Sequence, residues 1–237
     1  NNEDFSNGIP STWNEGYSSG SSSAPWVYRG PSTNPNISTG SQGAYAGTQG
    51  PIMSPTSSNG FMIFDSDYYD NGGMAGNFGA GPYPATNGHF GTLTSPSFDC
   101  SNYSNNDLTL KFNSFYREYT GIAKIAFSID GGVTFTDTIE VHPDVQVNEQ
   151  TTNDYQVSIY LPSNICGNSD VRIQFIYDGT IMYGNSYGYY FWMIDDINLI
   201  ETPPYLLEID NVNYSAMSTT TGLGVNYTIK PLNQSNN

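Results

Sequence analysis

The sequence predicts an all-β protein: a two-sheet antiparallel jelly-roll β-sandwich with a short strand-like extension at its C-terminal end. Three observations carry the prediction. No window of about eleven residues shows a 3.6-residue apolar period, so no amphipathic helix is expected. Gly, Ser, Thr, Asn and Tyr dominate, and charged residues make up only 12% of the 237; turns and half-buried strands have that composition. Short alternating apolar runs recur with long loops between them, which is the spacing of a sandwich.

The chain opens with Glu3-Asp4-Phe5, a short first strand, then a turn at Gly8-Ile9-Pro10 and an aromatic anchor at Trp13. Residues 14–60 are rich in Gly, Ser, Pro and Thr, and Trp26-Val27-Tyr28 is the one strand expected there. Aromatic residues such as Tyr45 recur through it, which argues for ordered loop over disorder. Phe61-Met62-Ile63-Phe64 is a compact apolar strand that runs into Asp65-Ser66-Asp67-Tyr68-Tyr69-Asp70. A loop rich in Gly, Pro and Asn follows over 72–88. Residues 91–96 form a short strand ended by a proline. Residues 108–116 alternate, with Leu108, Leu110, Phe112 and Ser114 on one face. Residues 122–129 lead to a tight turn at Asp130-Gly131-Gly132, from which 133–136 return. Residues 137–153 read as a polar connection, and 155–161 and 171–178 as two more strands.

The most informative stretch is 189–200, of whose twelve residues nine are apolar or aromatic. It reads as a strand buried on both faces. Asp195 and Asp196 are adjacent within it. Successive strand side chains point to opposite faces, so at least one of the pair faces packed side chains. A buried carboxylate is costly unless a cation or several donors satisfy it. Bound calcium is one answer; backbone N–H groups from a loop are the other. The run Asp65, Asp67, Asp70 before Asn71-Gly72-Gly73 has the ligand types of a hard-cation loop, without EF-hand spacing. A solvated acidic turn reads equally well there.

Glu201-Thr202-Pro203-Pro204 is a stiff break. It divides the chain into a domain over 1–201 and a linker with the start of a following β module, or a packed tail, over 202–237. Residues 205–210 and 224–229 each read as one strand, with too few aliphatic side chains for a core of their own.

The net charge is −16, with six Lys and Arg together. That repels phosphate backbones and excludes nucleic acid as a partner. Anionic membrane surfaces are disfavoured likewise, and no run of eighteen apolar residues suggests membrane insertion. The first residues suit a mature N-terminus after leader removal, and the last suit a cut through a longer polypeptide. Cys100 and Cys166 lack zinc-site spacing; they form a single disulfide in an oxidising compartment, or they are two inert buried thiols. His89 and His142 have no nucleophile elbow or metalloprotease motif beside them, so no enzyme is expected. Residues 128–135 look like an Asp-box hairpin, but in a single copy they read as a tight turn. Tyrosine dominates contact surfaces, and Tyr183, Tyr187 and Tyr189 beside a Gly/Asn-rich loop are the expected ligand contacts.

Five pieces stand in a telling order. They are Glu3-Asp4-Phe5 with Trp13; residues 61–67; Leu93-Thr94-Ser95-Pro96 with Phe98-Asp99-Cys100; residues 128–135; and Tyr190-Phe191-Trp192-Met193-Ile194-Asp195-Asp196-Ile197. Together they resemble the MAM-like, cleaved-adhesin jelly-roll domains of secreted Bacteroidetes surface proteins, over roughly residues 1–201. The region 14–60 is weakly matched, and the 72–88 loop departs from the pattern. The resemblance implies a non-catalytic adhesion or assembly module with structural calcium. The alternative is a carbohydrate-binding module appended to a secreted hydrolase. By position, Glu3, Asp65, Asp67, Asp195 and Asp196 are carried over as the calcium ligands. Export by the type IX route to the cell surface is implied too. The expected partners are a cell-surface protein or glycan, or other copies of the chain joined by strand addition of the tail.

Overall fold

The computed structural model describes residues 2–17, 23–47, 49–104, 107–182, 184 and 186–202, and the backbone of two later strands within 207–231. The chain divides into two compact units, Asn1–Ile200 and Glu201–Asn237.

The first unit is a sandwich of two antiparallel sheets in a jelly-roll-like arrangement. One sheet runs β3 (Val27–Arg29), β4 (Phe61–Asp65), β11 (Tyr189–Glu201), β6 (Leu108–Tyr119), β9 (Gln156–Tyr160), with β1 (Asn2–Glu3) also paired to β11. The other runs β2 (Asn14–Gly16), β5 (Phe90–Thr94), β10 (Arg172–Asp178), β7 (Ile122–Ser128), β8 (Thr136–Glu140). In the second unit β12 (Leu207–Tyr214) and β13 (Val225–Pro231) pair antiparallel.

Strand β11 lies inside its sheet and is covered on both faces. Trp192 and Ile194 join the core between the sheets, while Phe191 and Met193 pack with Ile52, Phe61, Ile63 and Phe115 on the opposite side. That double burial explains its nearly unbroken apolar run. The inter-sheet core is aromatic. Trp26 and Trp192 meet edge to face at 5.5 Å, and Phe64 stacks on Tyr177 at 4.7 Å. Phe64 fits because β5 carries a glycine beneath it: a Cβ on Gly91 would fall 2.0 Å from the ring.

Two local expectations are corrected. The acidic run after β4 is not a loop but a short helix, α1 (Ser66–Asn71), closed by Gly72 in the left-handed conformation at φ +65°. The strand returning from the 130–132 turn is 136–140, not 133–136. The Asp130 carboxylate accepts the N–H groups of Val133 at 3.1 Å and Thr134 at 2.9 Å, which withdraws them from the ladder.

Candidate functional site

Two carboxylates of α1 organise the site. Asp67 Oδ2 accepts the N–H groups of Tyr45 at 2.7 Å and Ala46 at 3.0 Å, and Oδ1 accepts from Asn71 Nδ2 at 2.7 Å. Asp70 accepts from the N–H groups of Gly79 and Ala85, each at 3.1 Å. One short helix therefore fixes two long loops, 41–46 and 74–85. Gly43 allows the approach, since a Cβ there would sit 2.2 Å from Asp67 Oδ2. Burial raises the Asp67 carboxyl above its usual range against these donated hydrogen bonds.

The tethered loops carry aromatic rings to one place. Tyr45 and Phe78 stack in parallel at 5.4 Å and 5°, and the Tyr45 hydroxyl accepts the Gly76 N–H at 2.7 Å. Facing residues come from the end of β6 and the start of β11: Tyr119 stacks on Tyr189 at 6.4 Å and meets Tyr190 edge-on at 5.6 Å. Tyr190 is held from three directions. Its hydroxyl donates to Asn148 Oδ1 at 2.6 Å, and the Arg117 guanidinium lies 4.5 Å over its ring while Nη1 donates to the Ala46 carbonyl. Its backbone sits at φ +77°. A bulky residue in that region is strained, and such strain persists where the surroundings over-determine it. Tyr45, Asp67, Phe78, Tyr119, Ser186, Tyr189 and Tyr190 line a cavity of about 190 Å³.

Of the expected contact residues, Tyr189 lines this cavity, Tyr187 is half-buried outside the lining, and Tyr183 lies outside the described residues. The sequence pattern alone does not mark Tyr45, Phe78, Tyr119 and Tyr190 as contacts. The available signal was an aromatic residue isolated within a Gly- or Asn-rich loop, as in Gly-Asn-Phe-Gly at 76–79.

The five carboxylates nominated for calcium fall into two groups. Asp65 stands opposite Phe191, so Asp195 lies four residues further along β11, roughly 13 Å away. Asp65 accepts Ser41 Oγ at 2.5 Å and the Gln42 N–H at 2.8 Å, with Arg29 Nη2 at 3.7 Å. Burial pushes its pKa up to about 6. Asp67 anchors the neighbouring loop. On the other side, Asp195 accepts from the Ser54 hydroxyl, and Asp196, at φ +51°, accepts the Thr56 N–H at 3.2 Å and hydroxyl at 2.8 Å. Asp195 is fully buried, its Oδ1 has no hydrogen-bond donor, and burial lifts its pKa to about 7. The buried Asn59 Oδ1 likewise has none. Asn59 Nδ2 reaches Asp4 at 3.3 Å, and Tyr28 donates to the Asn59 carbonyl at 2.8 Å; burial, then Asp195 and Asp4, raise the pKa of the Tyr28 phenol. Glu3 pairs opposite Ile197 and accepts the Phe5 N–H at 2.8 Å. Among the described residues, no three His, Cys, Asp or Glu side chains cluster as a ready metal site.

Each histidine is buried against a serine. His89 lies 2.8 Å from Ser66 Oγ and 2.7 Å from the Tyr83 carbonyl; His142 lies 2.8 Å from Ser114 Oγ. Burial lowers both imidazole pKa values. All four residues are buried, and a nucleophile must reach its substrate. Cys100 and Cys166 are free thiols on paired segments: the Cys100 N–H donates to the Asn168 carbonyl at 2.8 Å, and its carbonyl accepts the Gly167 N–H at 2.9 Å.

No protein-family model matches the sequence. No curated protein matches it either. Among solved structures, the K1 cleaved adhesin domain of Lys-gingipain from Porphyromonas gingivalis W83 is similar over 86% of this chain and 98% of that one, at 18% identity and a TM-score of 0.45. The CBM22-2 xylan-binding domain of Xyn10C from Paenibacillus barcinonensis is similar over 85% of this chain and 99% of that one, at 8% identity and a TM-score of 0.37.

Proposed function

We propose that this chain is a non-catalytic adhesion module of a secreted, cell-surface protein, and that it holds its target at the aromatic pocket. One observation carries the reading. The pocket walls are preorganised: Asp67 and Asp70 fix the loops bearing Tyr45 and Phe78, while Arg117 and Asn148 fix Tyr190. Rigid exposed aromatic rings contribute large contact area at low entropic cost, which is how recognition surfaces gain affinity. Phe78 is 63% exposed and Tyr45 40% exposed, so the rings are accessible. The same pocket would serve a carbohydrate-binding module beside a secreted hydrolase.

Calcium belongs to this proposal as a structural element. The buried, donorless oxygens of Asp195 and Asn59 suit a hard cation, which takes oxygen ligands. Asp195 would hold it, with Asp196, Asn59 and Glu3 on the flanking segments. The ion would supply rigidity and no chemistry. In the same extracellular setting Cys100 and Cys166 would be joined.

The test is binding to arrays of glycans and of surface proteins by the intact chain and by Phe78→Ala. A target whose affinity falls at least tenfold in the variant supports the reading. Undiminished binding to every target places the contact surface elsewhere and overturns it.

A further inference from the structure

The aromatic pocket carries more information than its exposure. Its walls offer ring faces: Tyr45 and Phe78 stack in parallel, which leaves the outer face of each ring open, and Tyr119 and Tyr189 form a second stacked pair. The C–H face of a sugar ring packs on such surfaces, because the π face is electron-rich. An aromatic cage for an ammonium ion would surround its guest with separate ring faces; here the rings pair with one another.

One residue of the lining is a hydrogen-bond acceptor. Asp67 is 3% exposed and lines the cavity. Its Oδ2 already takes two N–H groups and its Oδ1 takes one. A carboxylate offers about four acceptor positions, so Oδ1 has room for a ligand hydroxyl.

Charge sets the sign of what fits. The lining contains Asp67 and neither Lys nor Arg. A carboxylate ligand would be desolvated opposite Asp67, and the nearby Arg117 stands outside the lining, over the Tyr190 ring and bonded to the Ala46 carbonyl.

Size limits the ligand. At about 190 Å³ the cavity is smaller than the roughly 300–1,000 Å³ of pockets for drug-sized molecules. It has room for one ring, not for a threaded chain.

We propose that this pocket takes one uncharged pyranose ring at the end of a glycan and rejects acidic sugars. The inference rests on the binding reading above and adds the ligand's chemistry.

The experiment uses the intact chain and ligand-observed NMR or calorimetry. The probes are methyl glycosides of glucose, galactose, mannose and N-acetylglucosamine, the matching trisaccharides, glucuronic and galacturonic acids, and choline. At least one neutral glycoside should saturate. The uronic acid of the same ring should bind at least tenfold more weakly, and the matching trisaccharide within about threefold. Phe78→Ala, at an exposed position, should weaken the neutral sugar at least tenfold with an unchanged melting midpoint. A uronic acid or choline binding as tightly as the best neutral glycoside overturns the ligand class and leaves the binding reading standing. A trisaccharide far tighter than its monosaccharide overturns chain-end recognition. A protein target lost in Phe78→Ala, with no sugar bound, overturns the ligand class; no target sensitive to Phe78→Ala overturns both.

Discussion

Trp192 and His142 meet through a single hydroxyl. The indole N–H donates to Ser114 Oγ at 2.8 Å, and the same oxygen lies 2.8 Å from His142 Nε2. An indole can only donate, so it takes one of the two acceptor positions of the hydroxyl, and the tautomer of His142 sets the direction of the second bond. Burial lowers the His142 pKa to about 4.

A pH dependence follows from that arrangement. An unfolded histidine titrates near 6.5, so the folded state binds fewer protons between about 6.5 and 4. The contribution of His142 is complete above 6.5 and is lost as pH falls toward 4, by about 2–3 kcal/mol. Asp65 and Asp195, raised to about 6 and about 7, act in the opposite direction over the same window. Wild-type stability alone therefore hides the histidine. Urea melts at pH 7.5 and 4 should show that His142→Gln loses about 2 kcal/mol less on acidification than wild type. Equal losses in the two proteins would mean that His142 is not the titrating group.

Gly91 tests the core. A Cβ there meets Phe64 Cε2 at 2.0 Å, and Phe64 is fully buried with its ring stacked on Tyr177 and edge-on to Trp26. The ring cannot retreat without disturbing both neighbours. Gly91→Ala should cost about 1–3 kcal/mol through overpacking, although alanine is otherwise harmless in a strand. A denaturation midpoint equal to wild type would show that the core is looser than these contacts imply.

Much of the fold was legible because it obeys short periods. Strand β6 alternates, and β11 is an apolar run, so burial on one face or two can be read directly from residue order. Helix α1 was not legible, because six residues are too few for a 3.6-residue period and two of the six, with the residue before them, are acidic. The site was legible only at Tyr189. Tyr45, Phe78, Tyr119 and Tyr190 come from four segments, gathered by Asp67, Asp70 and Arg117 through bonds to backbone groups. Backbone N–H and C=O groups are the same in every residue, so no side-chain pattern announces such a tether. The acids were recognisable as a class, yet their separation depends on register: only the pairing of Phe191 with Asp65 places Asp195 four residues beyond it.

The cysteine pair gives a covalent prediction. Segments 98–100 and 167–171 pair main chain to main chain, and Cys166 adjoins that contact. Burial, then Cys166 and Asp99, raise the Cys100 thiol to about 12, so it stays protonated and slow to react. Joining needs a donor disulfide that accepts two electrons and two protons. After incubation with oxidised glutathione, the intact mass should fall by about 2 Da, with no alkylation before reduction. The crosslink closes a loop of roughly 66 residues and should raise stability by up to about 4 kcal/mol. Two alkylated cysteines after that treatment would show that the thiols cannot reach one another.

Calcium is tested by removing it and by separating the two acidic groups. An ion held at Asp195 binds the folded chain alone, so at 100 times its dissociation constant it adds about 2.7 kcal/mol. For a domain of this size that corresponds to roughly 5–10 °C in melting midpoint. A chelator should lower the midpoint by that amount, and restored calcium should recover it. Asp195→Asn should abolish the calcium dependence. Asp65→Asn, whose carboxylate serves Ser41, Gln42 and Arg29, should lower the midpoint equally with and without calcium. Calorimetric scans of the three proteins in chelator and in calcium distinguish the cases. A wild-type midpoint indifferent to calcium would mean that the donorless oxygen of Asp195 is satisfied by something other than this ion, and a calcium response lost in Asp65→Asn but kept in Asp195→Asn would move the site to the other end of β4.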